Sequence, residues 1–236
     1  MSDSGGQRSG VLAPAGADGP SKPMLDRLTQ LGVGDLELKP GDHTCAFYRG
    51  AAGRDAILGP YIAKGLNDGD KCICILDLED VAERRKMAER LQANAPHHER
   101  VADGQLEILD FTETYIRDGR FLQDEWFALL EHSVSSVFKE EPGYKVARVV
   151  GDAAWALIKT CPGVDELCSY EARVNWFAPR YPQILLCLYD LERFSGELVV
   201  DVLMTHPKVL INNMVVENPF YVTPEEFLAT RRAAGA

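Results

Sequence analysis

Two side chains of one short apolar run, His43 and Cys45, have the types and the spacing that point most directly to chemistry. They lie two positions apart, so on a β-strand both face the same side of the sheet. Imidazole nitrogen and thiolate sulfur bind zinc and other transition metals, and a thiolate also attacks electrophiles, although no partner base accompanies this one. The pair predicts one of three roles: contact with a ligand in a pocket, coordination of a metal ion or haem group, or packing in the core.

A larger metal site is an alternative, because Cys72 and Cys74 share the alternate spacing of His43 and Cys45. Four ligands come together only if the two strands lie side by side in the sheet. Cysteine in a buried strand usually behaves as a small apolar side chain. We therefore expect Cys72 and Cys74 to pack in the core.

The run that carries His43 continues into a glycine-rich segment at residues 50–55 and then into a helical pattern. This order of strand, loop and helix is typical of a phosphate-binding loop. However, Arg54 and Asp55 stand where such a loop needs Lys and Ser or Thr to hold phosphate and magnesium. The sequence predicts a nucleotide-binding scaffold with a degenerate phosphate loop, suited to recognition more than to turnover.

Further candidates follow other predicted strands, because parallel sheets bind ligands beyond the carboxyl ends of their strands. Asp152 occupies the place of a magnesium-binding Asp or caps the next turn, and Trp155 lines an apolar pocket or belongs to the core. No residue is assigned a catalytic role. The predicted ligand-binding residues are His43, Cys45, Tyr48, Arg54, Asp152, Trp155, Tyr189 and Asp190.

Three other features of the sequence have structural interpretations. Glu171 and Arg173 lie on a predicted helix, where ion pairs with the segment around Asp190 are expected. His206 ends a helix, where an imidazole interacts favourably with the helix dipole. Residues 217–221 form an aromatic loop over a pocket or an ordinary proline turn.

Composition limits the class of protein. The 236 residues suffice for one large domain, and the formal net charge of -11 disfavours direct binding of nucleic acid. No apolar leader opens the chain, and no apolar run approaches the roughly 20 residues of a membrane helix. We expect a cytoplasmic protein that does not bind membranes and whose six cysteines are free thiols.

Strand-like and helix-like runs alternate along the chain, which predicts right-handed crossovers and a mainly parallel sheet. The predicted fold class is α/β, a single domain with helices on both faces of a central sheet. A disordered tail is predicted at 1–23, rich in Gly, Ser, Ala and Pro, and the domain at 24–236. The predicted strands are 43–48, 71–78, 105–111, the start of 145–156, 183–188 and 208–216, and the predicted helices are 24–33, 55–67, 81–93, 123–139, 164–178, 196–205 and one that begins near 223.

Six short motifs in a fixed order resemble the MEDS domain, the methanogen/methylotroph sensory domain of dichloromethane-regulator-type proteins. The resemblance covers about residues 36–228. The motifs are Gly41-Asp42-His43-Thr44-Cys45-Ala46-Phe47-Tyr48, Gly50 to Asp55, Gly69-Asp70-Lys71-Cys72, Gly151-Asp152-Ala153-Ala154-Trp155-Ala156, Leu186-Cys187-Leu188-Tyr189-Asp190, and His206-Pro207 with Glu217-Asn218-Pro219-Phe220-Tyr221.

The resemblance implies a RecA-like or clock-ATPase-like fold and a prokaryotic sensor of simple hydrocarbon derivatives, with His43 and Cys45 as its sensory centre. Members of this family are often fused to DNA-binding segments, kinase-type ATPase domains or anti-sigma regulators. We expect no DNA-binding domain in this chain, and we therefore expect a non-enzymatic sensor that acts alone or through such a regulatory partner. The alternatives are a nucleotide-binding protein with weak or no hydrolysis, a metal- or haem-binding sensor, and an interaction scaffold without a ligand; a homo-oligomer is expected by analogy.

Overall fold

The computed structural model describes residues 29–30, 37–78, 80–95, 104–139, 143–211 and 214–234. The predicted tail at 1–23 lies outside the described residues, and so does most of the predicted helix at 24–33. The described part of that helix, Thr29–Gln30, is instead a short strand, β1, which pairs antiparallel with β2, Glu37–Leu38. Pairing with β2 satisfies the backbone there, and the helical prediction is wrong at these two residues.

A seven-stranded sheet forms the centre of the fold, with the strand order β5-β4-β6-β7-β3-β8-β9. Every neighbouring pair is parallel except the hairpin of β8 and β9. The inner strands are apolar on both faces, as expected for a parallel sheet that is covered on both sides. The strands are β3 His43–Tyr48, β4 Lys71–Leu76, β5 Leu106–Asp110, β6 Ala147–Asp152, β7 Gln183–Asp190, β8 Lys208–Ile211 and β9 Met214–Glu217.

Helices cover both faces of the sheet and enclose one apolar core on each side. Helices α1 and α2 pack on one face, and α3 to α7 pack on the other. No described helix is both long and apolar enough to cross a membrane. The helices are α1 Gly50–Asp68, α2 Val81–Ala93, α3 Phe111–Thr114, α4 Gln123–Lys139, α5 Leu167–Phe177, α6 Gly196–Thr205 and α7 Pro224–Ala234, with 3-10 turns at Ala153–Leu157, Val164–Glu166 and Ala178–Arg180.

The predicted fold class is confirmed, whereas two further local predictions are wrong. Residues 50–55 are not a loop, because α1 begins at Gly50 and only Arg49 separates it from the end of β3 at Tyr48. The carboxylate of Asp190 accepts a hydrogen bond from the Gly50 amide at 3.2 Å, which satisfies one of the amides that a helix start leaves free. The predicted strand at 208–216 is two strands, β8 and β9, which form an antiparallel hairpin.

Candidate functional site

A group of four ionisable side chains, three buried and one half-buried (Cys187), lies between the sheet and the helices α5 and α6. It consists of His43, Glu171, Cys187 and His206, and we refer to it as the four-residue cluster. His43 comes from β3 and Cys187 from the adjacent β7; Glu171 lies on α5, and His206 directly follows α6. One potential ligand atom from each of these side chains lies within 4.8 Å of the other three.

The shortest contacts in the cluster converge on His43 and Glu171. The Nε2 atom of His43 lies 3.2 Å from Oε2 of Glu171 and 3.3 Å from Sγ of Cys187. The same Glu171 oxygen lies 3.6 Å from Nε2 of His206 and accepts a hydrogen bond from the Cys187 thiol at 3.6 Å. Its other oxygen, Oε1, accepts a hydrogen bond from the Tyr189 hydroxyl at 2.6 Å.

The neighbours of His43 determine which of its ring nitrogens carries the proton. Nδ1 of His43 lies 3.1 Å from Oδ1 of Asn175. The Asn175 amide nitrogen donates to the carbonyl oxygens of Glu171, Ala172 and Thr205, so its oxygen is the atom that faces the imidazole. His43 therefore donates from Nδ1 and directs the lone pair of Nε2 into the cluster.

His206 has the same orientation. Its Nδ1 atom lies 2.8 Å from the carbonyl oxygen of Val202, so the ring proton is bound there. Its Nε2 atom is buried and has no hydrogen-bond partner among the described residues. This orphaned lone pair points toward Glu171, which is also a hydrogen-bond acceptor.

Burial and mutual contact determine the protonation states of the cluster. Burial raises the pKa of the Glu171 carboxyl, but the contacts with His43, His206 and Tyr189 outweigh burial and hold the pKa below its ordinary value. Burial and the nearby His43 lower the pKa of His206 to about 3, so this imidazole is neutral near pH 7. Burial and the Glu171 charge raise the pKa of the Cys187 thiol well above its ordinary value.

The other predicted cysteines lie elsewhere. Cys45 is on the same face of β3 as His43, but its thiol points to the carbonyl oxygen of Lys208 at 3.7 Å, and Cys45 is not one of the four clustered residues. The alternative site of four with Cys72 and Cys74 is wrong, because β6 and β7 separate β4 from β3 and both cysteines belong to the core on the opposite face. All six cysteines are free thiols, as predicted.

Four predicted site residues meet at the carboxyl ends of the strands. The Tyr48 hydroxyl donates to Oδ2 of Asp152 at 3.3 Å, and the other Asp152 oxygen accepts from the Ala154 amide at 3.0 Å. Asp190 accepts from the amides of Gly50 and Glu192. Burial raises the pKa of Asp152 to about 6, although the Ala154 hydrogen bond and the Arg54 charge oppose the rise.

Trp155 belongs to an aromatic core and does not reach the four-residue cluster. It is fully buried and stacks on Tyr115, with ring centroids 5.0 Å apart. Tyr115 in turn lines a small apolar cavity of about 20 Å³ that extends to Cys187. The cavity is lined by Ile75, Tyr115, Trp126, Leu130, Val149, Gly151, Tyr170, Val174, Leu185, Leu186 and Cys187.

The sequence did not identify Glu171, Cys187 or His206 as members of a site with His43. Glu171 contacts the segment around Asp190 only through the hydrogen bond from the Tyr189 hydroxyl, and its ionic contacts among the described residues are with His43 and His206. His206 directly follows α6 and bonds the Val202 carbonyl in the last turn of that helix, as predicted, but the ring is also fully buried and its Nε2 atom faces Glu171, which the sequence did not indicate. The available signal for Glu171 was its place between Leu167 and Val174 on the apolar stripe of α5, where a lone carboxylate needs a buried partner.

Comparisons with known proteins agree with this fold and with the sequence motifs. The profile of the family described as MEDS, "MEthanogen/methylotroph, DcmR Sensory domain", matches residues 42–207. The transcriptional repressor DcmR of Methylorubrum extorquens is 30% identical over 202 residues, which cover 83% of this chain and 69% of the repressor.

One solved structure shares the architecture at low sequence identity. A KaiC-like protein from Pyrococcus horikoshii superposes with a TM-score of 0.50 at 14% identity, over 78% of this chain and 79% of that protein. The flagellar accessory protein FlaH of Methanocaldococcus jannaschii gives a TM-score of 0.47 at 10% identity, over 75% and 73% of the two chains. The KaiC-like protein confirms the expected clock-ATPase-like fold, and the profile and the repressor show that this chain belongs to the MEDS family of sensory domains.

Proposed function

We propose that this chain is a non-enzymatic sensory module that binds a small apolar or weakly polar molecule beside His43 and relays its presence to a regulatory partner protein. The observation that carries the proposal is the apolar cavity at Cys187, whose thiol lies 3.3 Å from the His43 imidazole. A one-carbon compound, or a halogenated derivative of one, is the class of ligand that suits this cavity.

The size and the lining of the cavity favour such a ligand. A volume of about 20 Å³ is only a little above the minimum that one water molecule needs, so the cavity suits only the smallest organic molecules. Tyr115, Trp126 and Tyr170 form the aromatic part of its wall, and aliphatic side chains form most of the rest. An apolar molecule leaves water without losing hydrogen bonds in such a cavity, and the polarizable sulfur of Cys187 offers it a favourable contact.

The start of α1 supports recognition without phosphate chemistry. A helix N-terminus is normally a site for anions such as phosphate. Here the Asp190 carboxylate already accepts the Gly50 amide, and Arg54 stands where a phosphate loop places its Lys. A bound phosphate would meet a carboxylate of like charge, so the proposed module binds no nucleotide and hydrolyses none.

Helix α6 offers a route from the site to the surface. His206 follows this helix, and the Val202 carbonyl within it holds the His206 ring. The opposite side of α6 exposes Val200 to 57%. A ligand that displaces Cys187 and the imidazoles would shift α6, and we expect a transcription factor, a kinase or an anti-sigma regulator to respond to that shift.

Thermal unfolding in the presence of one-carbon alcohols, one-carbon amines and halomethanes tests the proposal. We expect at least one of these classes to raise the Tm of the protein, by mass action on the folded state. Val174→Ile adds one methylene to the cavity wall and should abolish this rise. Val81→Ile makes the same change at a residue that is 71% exposed on the other face of the sheet, and it should leave the rise intact.

Two results would contradict the proposal. The first is that none of the compounds shifts the Tm, or that Val174→Ile responds as the unaltered protein does. The second is micromolar binding of ATP with magnesium in calorimetry, lost in Arg54→Ala, which would favour the nucleotide-binding alternative.

A further inference from the structure

We propose that the four-residue cluster is a metal site, in which Nε2 of His43, Oε2 of Glu171, Sγ of Cys187 and Nε2 of His206 together bind one divalent transition-metal ion. Two imidazoles, one carboxylate and one thiolate form a ligand set of intermediate softness, which suits Zn²⁺ and, next to it, Fe²⁺ or Co²⁺. This site goes beyond the proposed function and does not rest on it, since its geometry stands whether or not the chain senses a small molecule.

Four of the six ligand-to-ligand distances match a tetrahedral site before any ion is added. Zinc bonds of about 2.0 Å to nitrogen or oxygen and 2.3 Å to sulfur imply ligand-to-ligand distances of roughly 3.3–3.6 Å. Four of the six distances between the proposed ligand atoms are 3.2, 3.3, 3.6 and 3.6 Å, and the other two do not exceed 4.8 Å. The ligand atoms thus already stand close to the positions that a tetrahedral ion requires.

The hydrogen bonds leave two imidazole lone pairs facing a carboxylate oxygen, and only a cation or a proton between these acceptors can stabilise the arrangement. Both histidines donate from Nδ1, to Asn175 and to the Val202 carbonyl, so both Nε2 atoms present lone pairs. These lone pairs face the Glu171 carboxylate, which is also an acceptor. A proton on His43 would relieve one contact and still leave His206 Nε2 without a partner among the described residues.

The surroundings resemble those that orient metal ligands in proteins. A ligating histidine usually donates its other ring N–H to a carbonyl or carboxylate oxygen, and a ligating carboxylate is itself hydrogen-bonded. Here Val202 and Asn175 accept the two ring protons, and Tyr189 donates to the second oxygen of Glu171. Three neighbours thus hold three of the four ligands in the orientation that coordination needs.

The charges also balance. Ion binding replaces the thiol proton of Cys187 by a sulfur–metal bond and releases that proton to the solvent, one per ion. Thiolate and Glu171 carboxylate then carry two negative charges, and the histidines are neutral. A divalent ion therefore gives an uncharged buried site, which avoids the large cost of burying a net charge.

Cobalt binding tests the site in the full chain, because tetrahedral Co²⁺ absorbs visible light and Zn²⁺ does not. The protein is stripped with a chelator and titrated with Co²⁺. We expect one Co²⁺ per chain, with tetrahedral d–d bands and a near-ultraviolet thiolate-to-cobalt charge-transfer band, all removed by one equivalent of Zn²⁺. The absence of stoichiometric binding would overturn the proposal.

Variants identify the ligands. Cys187→Ser should abolish the charge-transfer band, and His206→Gln should keep that band but weaken Co²⁺ binding by roughly 100-fold or more. Cys45→Ser and the exposed His132→Ala serve as matched controls and should match the unaltered protein. A charge-transfer band that survives Cys187→Ser, or that is lost in Cys45→Ser, would overturn the assignment. If Cys187→Ser does not fold, His206→Gln decides, and unchanged affinity in that variant counts against the site.

These results separate the site from the proposed function. A protein that binds Co²⁺ as expected but whose Tm responds to no small molecule keeps the metal site and loses the sensor proposal. A Tm response that Val174→Ile abolishes, in a protein that binds no metal, gives the opposite outcome.

Discussion

Nε2 of His206 faces Oε2 of Glu171 across 3.6 Å, and neither atom brings a proton to the contact. The His206 ring proton is on Nδ1, bound to the Val202 carbonyl, and Oε2 of Glu171 is a hydrogen-bond acceptor that takes a bond from the Cys187 thiol. Two electron-pair donors repel each other at this distance unless a cation lies between them. This relationship distinguishes the four-residue cluster from an ordinary buried ion pair.

Glu171→Gln should affect the metal-free and the metal-loaded protein differently. In the metal-free state the new amide can donate to His206 Nε2, so the free energy of unfolding should change by less than about 1 kcal/mol. In the loaded state one ligand charge is lost, and Zn²⁺ affinity should fall by roughly 100-fold. Urea denaturation with a chelator and a competition assay for Zn²⁺ measure the two effects.

The exposed Glu125→Gln is the control for this experiment and should change neither quantity. A loss of several kcal/mol in the metal-free state would indicate instead that Glu171 forms a charged pair with a protonated His43.

Tyr189→Phe should weaken metal binding without removing a ligand. The Tyr189 hydroxyl donates to Glu171 at 2.6 Å and orients the carboxylate, so its loss should lower Zn²⁺ affinity roughly 10-fold to 100-fold. The cobalt spectrum should keep its charge-transfer band, because the Cys187 sulfur stays bound. Tyr48→Phe, which removes a hydroxyl from Asp152 at the strand ends, is the matched control; equal affinities in both variants would argue against a positioning role.

Asp152 should make the protein less stable as the pH rises. Burial raises its pKa in the folded state from 3.8 to about 6, so between these values the folded protein holds a proton that the unfolded chain releases. The associated stability is fully present below pH 4 and is lost as the pH rises through about 6. Asp152→Asn removes this dependence, and its stability relative to the unaltered protein should rise by about 2 kcal/mol between pH 4 and pH 7.

Urea denaturation at both pH values, with a chelator present, measures this change. Asp165→Asn, at an exposed position, should show no such trend. A relative stability of Asp152→Asn that stays constant with pH would contradict the raised pKa.

Gly151→Ala should destabilise the protein through a single atom of Tyr115. A Cβ at this position would lie 2.7 Å from the Tyr115 hydroxyl oxygen and 3.8 Å from the next ring atom. The clash should cost about 1–3 kcal/mol, and adding Tyr115→Phe should restore most of that loss. Additive effects of the two substitutions in a double-mutant cycle would refute the contact. Gly196→Ala, where nothing lies within 4 Å, is the control.

The sequence predicted the architecture because its signals are local. Alternating apolar runs and helical spacings place β3, β4, α2, α4, β7 and α6 close to their observed bounds. The exception at residues 50–55 depends on a distant side chain, since Asp190 caps the helix that begins at Gly50. The sequence of residues 50–55 contains no pattern that indicates the contact with Asp190.

The candidate site was only partly predictable for the same reason. His43 was recognisable from its position on an apolar strand, but its contact Cys187 lies 144 positions away and occupies a strand where cysteine usually serves as core. Only the pairing of β3 with β7 and the packing of α5 against them bring these groups together. The directions of the side chains then place Cys187 in the four-residue cluster and leave Cys45 outside it, although the spacing in the sequence had favoured Cys45.

X-ray absorption at the zinc edge of the zinc-loaded protein tests the central claim most directly, because it reports the bound atoms themselves. The four-residue cluster predicts four-coordinate zinc with one sulfur at about 2.3 Å and three nitrogen or oxygen atoms at about 2.0 Å, with the sulfur lost in Cys187→Ser. Six nitrogen or oxygen neighbours with no sulfur, or a spectrum unchanged in Cys187→Ser, would contradict it.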